Sequence, residues 1–320
     1  GASYAQKDKP KDKDKKTEQN PFYGDILSGM KFRSIGPGFL SGRIADITVD
    51  PRNGSVWYVA VASGGLWKTI NAGTTWEPIF DNYGSYSLSS VVIDPNNPNV
   101  IWVGTGEYNS QRSVSYGDGV YRSEDGGKSF KNMGLEKSEH IGRIVIDPRN
   151  SNVYVAAQGP LCGKGGDRGL YKSTDNGKTW KKILFVSDNT GINDLALDPK
   201  NPDIVYATAY QRRRHVYTMI NGRPEAAVYR SADAGENWVK LEGGLPGGEI
   251  GRIGIATSPS KPDRVYALIE SGDNKGGLYL SDDRGASWVK QSSYFPGSAM
   301  YYTRLFVDPV NPDRVFSVET

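Results

Sequence analysis

The stretch Ser173-Thr174-Asp175-Asn176-Gly177-Lys178-Thr179-Trp180 decides the fold, because its pattern, Ser/Thr-x-Asp/Asn-x-Gly-x-x-Trp/Phe, occurs five times in 320 residues. The other copies run from Thr69 to Trp76, Ser123 to Phe130, Ser231 to Trp238 and Ser281 to Trp288. Their glycines, Gly73, Gly127, Gly177, Gly235 and Gly285, are 54, 50, 58 and 50 residues apart. That is the length of one four-stranded unit with its turns. Each copy suits a hairpin: the Asp or Asn carboxyl or amide oxygen accepts bonds from backbone N–H groups a few residues on, and Gly takes the positive φ of the reversal. The aromatic residue that follows starts the next strand and packs against the unit. The polar residues at the centre of the repeat, Asn71, Asp125, Asp175, Asp233 and Asp283, are therefore read as structural staples.

Outward from each hairpin the repeat reads as four strands. In the third copy these are Gly142 to Pro148, Val153 to Gln158, Gly169 to Ser173 and Trp180 to Phe185. An Asp-Pro pair closes the first strand at Asp50-Pro51, Asp94-Pro95, Asp147-Pro148, Asp198-Pro199 and Asp308-Pro309, with Ser258-Pro259 as the variant. Proline cannot donate to a ladder, so pairing stops there and a tight turn opens. First strands such as Val91-Val92-Ile93 are nearly continuous apolar runs, as expected of sheets covered on both faces by their neighbours. No stretch has helical periodicity, and 39 Gly with 18 Pro is the turn content of short strands. The fold class is all-β: a β-propeller of four-stranded blades, five complete and a sixth partial.

Phe32 to Pro37 reads as an outer strand preceding Gly42-Arg43-Ile44, and Tyr302 to Pro309 with Arg314 to Glu319 begins a sixth repeat that has no hairpin of its own. The expectation is a piece of a longer protein, or a chain completed by a partner, with residues 21–320 as the propeller. Residues 1–20 are expected to form a disordered tail, since Lys7 to Lys16 holds six Lys and three Asp. Without that run the chain has 33 basic and 33 acidic residues, so it lacks the charge of a nucleic-acid binder. No run of about 20 apolar residues exists to span a bilayer. Gly1 to Gln6 reads either as the end of a secretory leader, which implies export, or as a cloning remnant. Cys162 is the only cysteine and makes no internal disulfide. Two histidines, His140 and His215, give no clustered ligand spacing, so no metal and no cofactor are expected.

The hairpins and Asp-Pro turns share one end of the propeller, which leaves the long loops at the other. Those loops carry the candidate ligand residues: Glu107, Tyr108, Arg112 and Tyr116 in one, Tyr210 and Arg212 in another. The tyrosines suit stacking on sugar rings or peptide side chains, and the charged groups suit polar anchoring. Near the axis, the residue four before each terminal Asp or Ser is Asp46, Ser90, Arg143, Asp194, Gly254 and Arg304 in turn. Arg143 and Arg304 either receive an anionic ligand or pair with Asp46 and Asp194 across blades. Asp46, Glu107 and Asp194 are the candidate acids for a hydrolase, which needs two carboxyl groups about 5 to 9.5 Å apart in glycoside hydrolysis.

With five hairpins and the Asp-Pro rhythm in view, residues 31 to 320 resemble the Asp-box propeller superfamily, and within it exported bacterial proteins labelled sortilin-like or glycosyl-hydrolase-like. Xyloglucan-cleaving tandem propellers of that superfamily carry a catalytic Asp before a Gly-Gly-aromatic turn. The matching run is Val61-Ala62-Ser63-Gly64-Gly65-Leu66-Trp67, with Ala62 at the acid's position, and the partner acid belongs to a second propeller. Sialidases carry an early Phe-Arg-Ile-Pro signature, which Ser34 interrupts in Phe32-Arg33-Ser34-Ile35. Sortilin-type propellers have ten blades, a cysteine-rich module and a peptide-binding mode, of which only the last carries over. The resemblance implies an extracellular or periplasmic binding or scaffold propeller for a peptide or polysaccharide. Its alternatives are a glycoside hydrolase and a structural subunit whose unfinished blade docks a partner chain.

Overall fold

The computed structural model describes residues 42–110, 114–222, 225–295, 299, 301 and 303–318. The tail at 1–20, the outer strand read at 32–37 and Arg112 lie outside these residues. The described chain is all-β, with one short 3-10 turn, Glu136–Ser138. Five sheets are antiparallel meanders of four strands in chain order, and one of them, the fourth, carries a fifth strand off that path. The first blade is Ile44–Val49, Trp57–Val61, Gly65–Thr69 and Glu77–Pro78. The second is Leu88–Asp94, Asn97–Thr105, Val120–Ser123 and Lys131–Asn132, and the third is Ile141–Ile146, Val153–Ala157, Gly169–Ser173 and Lys181–Leu184. The fourth is Thr190–Leu197, Val205–Arg214, Ala227–Ser231 and Val239–Leu241, and the fifth is Ile250–Thr257, Val265–Ser271, Gly277–Ser281 and Val289–Ser292. Leu305–Val307 pairs with Val315–Ser317 as a sixth, two-stranded sheet.

The hairpin staple has the same geometry in each complete blade. In the third, Gly177 N–H donates to Ser173 Oγ at 2.8 Å, and Thr179 donates to Asp175 through its backbone N–H at 2.9 Å and its hydroxyl at 2.6 Å. Asn176 and Gly177 both take positive φ, 62° and 82°. A Cβ on Gly177 would fall 2.5 Å from Trp102 Cη2 of the second blade, so this glycine also lets neighbouring blades meet. These bonds hold the charged form of the carboxylates at Asp125, Asp175, Asp233 and Asp283 and bring each pKa down to about 2.

The first strand of each blade lines a shared axis. Asp46 Oδ2 accepts Val91 N–H of the second blade at 3.1 Å, Ser90 Oγ accepts Ile144 N–H of the third at 3.3 Å, and Asp194 Oδ2 accepts Ile255 N–H of the fifth at 3.2 Å. Arg143 meets Asp194 at 3.1 Å, and Arg304 of the sixth sheet reaches back to Asp46 of the first at 3.1 Å. The ring is closed by side chains at the one equivalent position. A register shift interrupts the first pairing of all five complete blades near this point, and such bulges turn side chains out of the sheet toward their neighbours.

The long segment after Tyr210 departs from the loop that the sequence predicts. The second strand of the fourth blade runs on to Arg214 and folds back as Met219–Asn221, with Arg212 opposite Asn221 and Arg214 opposite Met219. His215 N–H closes the tip on Thr218 O at 2.8 Å. Strand pairing gives this segment's backbone the partners a free loop would have to find in water.

Candidate binding face

At the long-loop end, residues 106–110 turn inward and stopper the axis. Gly106 makes the turn with φ 82°, and a Cβ there would lie 1.9 Å from Glu139 O. Donors from three other blades then capture the carbonyls that the turn presents. His140 Nδ1–H donates to Glu107 O at 2.9 Å, and Gln158 Nε2 and Arg252 Nη2 donate to Tyr108 O at 3.1 and 3.0 Å. Arg212 Nη1 donates to Asn109 O at 2.6 Å and to Glu107 O at 3.2 Å. The Tyr108 ring is clamped by two guanidinium groups, Arg252 at 4.8 Å and Arg304 at 4.5 Å from its centroid. Glu107 is buried, pairs with Arg43 and accepts Asn109 Nδ2 at 2.9 Å.

Burial sets the electrostatics of this cluster. It brings the Arg212 pKa down to about 9 and that of Arg168 to about 10, and it lowers Arg252. Burial, followed by the positive fields of Arg212 and Arg168, pushes His140 well below the usual histidine range, so it is a neutral donor. Arg168 directs its guanidinium at the carbonyls of Gln158, Pro160 and Gly163. Backbone dipoles thus take the place of carboxylates around these cations.

The structure gathers Glu107, Tyr108, Arg212 and Arg304 around the stopper, and Asp46, Arg143, Asp194 and Arg304 on the first strands. The pairings of Arg304 with Asp46 and Arg143 with Asp194 are the cross-blade pairings weighed from the sequence. Tyr108 and Tyr210, expected on an accessible rim, are both buried; the Tyr210 hydroxyl donates to Asn221 Oδ1 at 3.1 Å. Arg212 is buried as well, because its strand continues where a loop was expected. Tyr116 stands apart and is 73 % exposed. Beside it is Tyr86, 63 % exposed, whose hydroxyl is 3.2 Å from Ser115 Oγ. Tyr217 is exposed at the tip of the fourth blade's hairpin and stacks on His215 with ring centroids 5.5 Å apart. His140, Gln158, Tyr86 and Tyr217 do not stand out in the sequence as site residues; of these, His140 and Tyr86 lie in the segments that lead into first strands, a place the repeat alignment marks. At the opposite end a cavity of about 410 Å³ opens among the first strands, with Asp46, Arg143, Asp198 and Phe306 on its wall.

Comparison with known proteins places this architecture. The family model of Sortilin-Vps10, described as sortilin, neurotensin receptor 3, matches residues 118–223. The chain is 28 % identical over 247 residues to the xyloglucanase Xgh74A of Acetivibrio thermocellus, covering 70 % of this chain and 28 % of that protein. It is 26 % identical over 231 residues to a xyloglucanase of Hypocrea jecorina, covering 63 % of this chain and 26 % of that one. The crystal structure of the Niastella koreensis GH74 enzyme superposes with a TM-score of 0.57 at 27 % identity over 76 % of this chain and 38 % of that chain. This chain has the fold and the repeated hairpins of an Asp-box propeller. The fold of this Asp-box propeller is also that of the GH74 xyloglucanase from Xanthomonas campestris, with a TM-score of 0.59 at 18 % identity over 85 % of this chain and 43 % of that chain. The Asp-box propeller described here spans well under half the length of these relatives. Among its described residues no helix is long and apolar enough to cross a membrane.

Proposed function

We propose that this propeller is an exported carbohydrate-binding module that holds an extended polysaccharide across its long-loop end without cleaving it. The observation that carries the reading is a division of labour among the side chains at that end and along the axis. Asp46, Glu107 and Asp194 are each engaged by an arginine of this chain, whereas Tyr86 and Tyr116 are exposed, with the Tyr86 hydroxyl 3.2 Å from Oγ of Ser115, the residue before Tyr116. Those carboxylates are engaged within the chain, and exposed tyrosines stack on sugar rings. Arg112, next in the same loop, is the expected polar anchor. Glu107, Tyr108, Tyr210, Arg212, Arg143 and Arg304 then serve as the rigid support for that surface. The likeness to proteins named xyloglucanases favours a β-glucan over a peptide.

The test is calorimetry with xyloglucan oligosaccharides alongside a reducing-end assay. Saturable binding without new reducing ends, weakened at least tenfold in Tyr116→Ala, is expected. Turnover that disappears in Asp46→Asn or Asp194→Asn would replace this reading with a hydrolase. Binding of an extended peptide with no glycan binding would refute the choice of ligand.

One further observation favours a completed assembly. The residue after the axial position is no more than 2 % exposed at Val91, Ile144, Leu195, Ile255 and Leu305, but Ile47 in the first blade is 52 % exposed. Beyond the Arg304–Asp46 contact, that strand presents a face that no complete blade covers among the described residues, the surface a further β-sheet would cover. Ile47→Lys is expected to block assembly with such a sheet while leaving the stability of this chain within about 0.5 kcal/mol. A loss of several kcal/mol would mean that the face is already packed.

A further inference from the structure

The long-loop end has a second feature, apart from the tyrosine surface and the stopper. Between the returning strand Met219–Asn221 of the fourth blade and the start of the fifth blade lies a cavity of about 220 Å³. Met219, Ile220 and Asn221 wall one side, and Glu249 and Glu270 wall the other. Two glycines keep it open. A Cβ on Gly251 would lie 2.1 Å from Glu270 Oε2, and one on Gly222, where φ is 95°, would lie 2.2 Å from Ile250 O. A Cβ on Gly272, at the rim, would lie 3.8 Å from Glu249 Cβ, an ordinary contact.

The polar groups on these walls are half committed in a way that fixes their free halves. Glu270 Oε2 accepts Arg252 N–H at 2.9 Å, and Glu270 Oε1 accepts no bond among the described residues. Asn221 Oδ1 accepts Ser110 Oγ at 2.6 Å and the Tyr210 hydroxyl at 3.1 Å, and Asn221 Nδ2 donates to nothing among the described residues. Glu249 is exposed at the mouth. The cavity therefore offers two acceptors and one oriented donor beside the aliphatic surface of Met219 and Ile220. Vicinal hydroxyls on a ring with an apolar face match that set: each hydroxyl donates to a carboxylate while accepting from an amide.

We propose that this cavity is a glycosyl subsite in which Glu270 Oε1, Glu249 and Asn221 Nδ2 bind the hydroxyls of one sugar unit. The subsite rests on the reading of the propeller as a carbohydrate binder and adds a pocket to the tyrosine surface. A neutral sugar fits better than an amine, because the Arg252 guanidinium lies behind Glu270 and opposes a second cation. Burial raises the Glu270 pKa, against the lowering influence of Arg252.

The experiment uses the whole chain, labelled with [methyl-¹³C]methionine, so that the Met219 methyl resonance, assigned with Met219→Leu, reports on the cavity. Titration with xylose, glucose and galactose should shift the Met219 signal, and Glu270→Gln and Glu249→Gln should each weaken the effect about tenfold. Glu249 is exposed, so its substitution leaves folding intact and keeps the test decisive even if Glu270→Gln folds poorly. A Met219 signal that moves with methylamine and with no sugar would overturn the subsite. If oligosaccharide affinity falls in Tyr116→Ala but is the same in both glutamine variants as in the unmodified protein, the subsite fails and the carbohydrate reading stands. If no glycan binds the unmodified protein, the carbohydrate reading fails and the subsite with it.

Discussion

Substitution of Tyr108 separates a structural stopper from a ligand platform. The ring is buried between the guanidinium groups of Arg252 and Arg304, and its hydroxyl makes no hydrogen bond among the described residues. Tyr108→Phe keeps the ring and both cation contacts and should be close to neutral. Tyr108→Leu keeps most of the apolar volume but loses the two cation–π contacts, roughly 0.5–2 kcal/mol each for partly to fully desolvated pairs. Tyr108→Ala adds a cavity and should cost about 3–5 kcal/mol, as for other large aromatic truncations. Urea denaturation followed by tryptophan fluorescence gives the three values. The ordering Phe, Leu, Ala is the signature of a clamped ring. If Tyr108→Ala costs less than about 1 kcal/mol while abolishing oligosaccharide binding, the ring is part of the binding surface and the stopper account is wrong.

Three further outcomes follow from the axis, the staples and the cavity. Arg143→Ala leaves Asp194 buried beside an empty position and should cost roughly 3 kcal/mol, whereas Arg143→Met with Asp194→Asn, which removes the charge and keeps an acceptor for Ile255 N–H, should recover part of it; equal losses in the two denaturation curves would argue against the pair. The staple aspartates have folded pKa values of about 2, below those of the unfolded chain, so their contribution is complete above about pH 4 and is lost as pH falls toward 2. Asp175→Asn copies Asn71 of the first blade, whose Oδ1 accepts Thr75 N–H at 2.9 Å as Asp175 accepts Thr179 N–H, and whose Nδ2 donates to Thr75 Oγ1 at 2.9 Å, reversing the hydroxyl bond; the variant should fold and show a shallower fall in melting temperature between pH 5 and pH 2. The Glu270 pKa is raised by burial, so its penalty appears as pH rises above the unfolded carboxyl value; Glu270→Gln should match the unmodified protein near pH 4 and exceed it in stability at pH 8, and the reverse order would show that the charged form is favoured.

What was legible in the sequence is what is held by short loops. The Asp175 staple closes over four residues, with bonds from Thr179 back to Asp175 and from Gly177 back to Ser173, so residue identity alone specifies it. The axial pairs were legible for a related reason: the repeat places Asp46, Arg143, Asp194 and Arg304 at one position, and rotational alignment brings like positions together. The stopper depends on partners far along the chain, since Arg212 and Arg252 reach Asn109 and Tyr108 across 103 and 144 residues. Nothing local distinguishes such a loop from a solvated one. The extension of the second strand to Arg214 was hidden by composition: Arg212-Arg213-Arg214 shows no alternation of apolar and polar residues, yet both Arg212 and Arg213 are buried.

The stopper also bears on the missing acid. The resemblance to xyloglucan-cleaving tandem propellers assigns the catalytic carboxylate to the position of Ala62. In the structure Ala62 is buried in a small apolar cluster with Ala45 and Tyr108. Its N–H donates to Arg43 O at 2.8 Å and its carbonyl accepts Ser87 Oγ at 2.7 Å, so the backbone there is held from both sides. An aspartate in that place would bury a charge against the Tyr108 ring, a cost that is relieved only by an ion pair or by withdrawal of the ring. Arg43, whose carbonyl accepts the Ala62 N–H, is already paired with Glu107, the residue before Tyr108. A charge at position 62 and a tyrosine seated in the axis are therefore competing arrangements of the same few ångströms, and this sequence has taken the second.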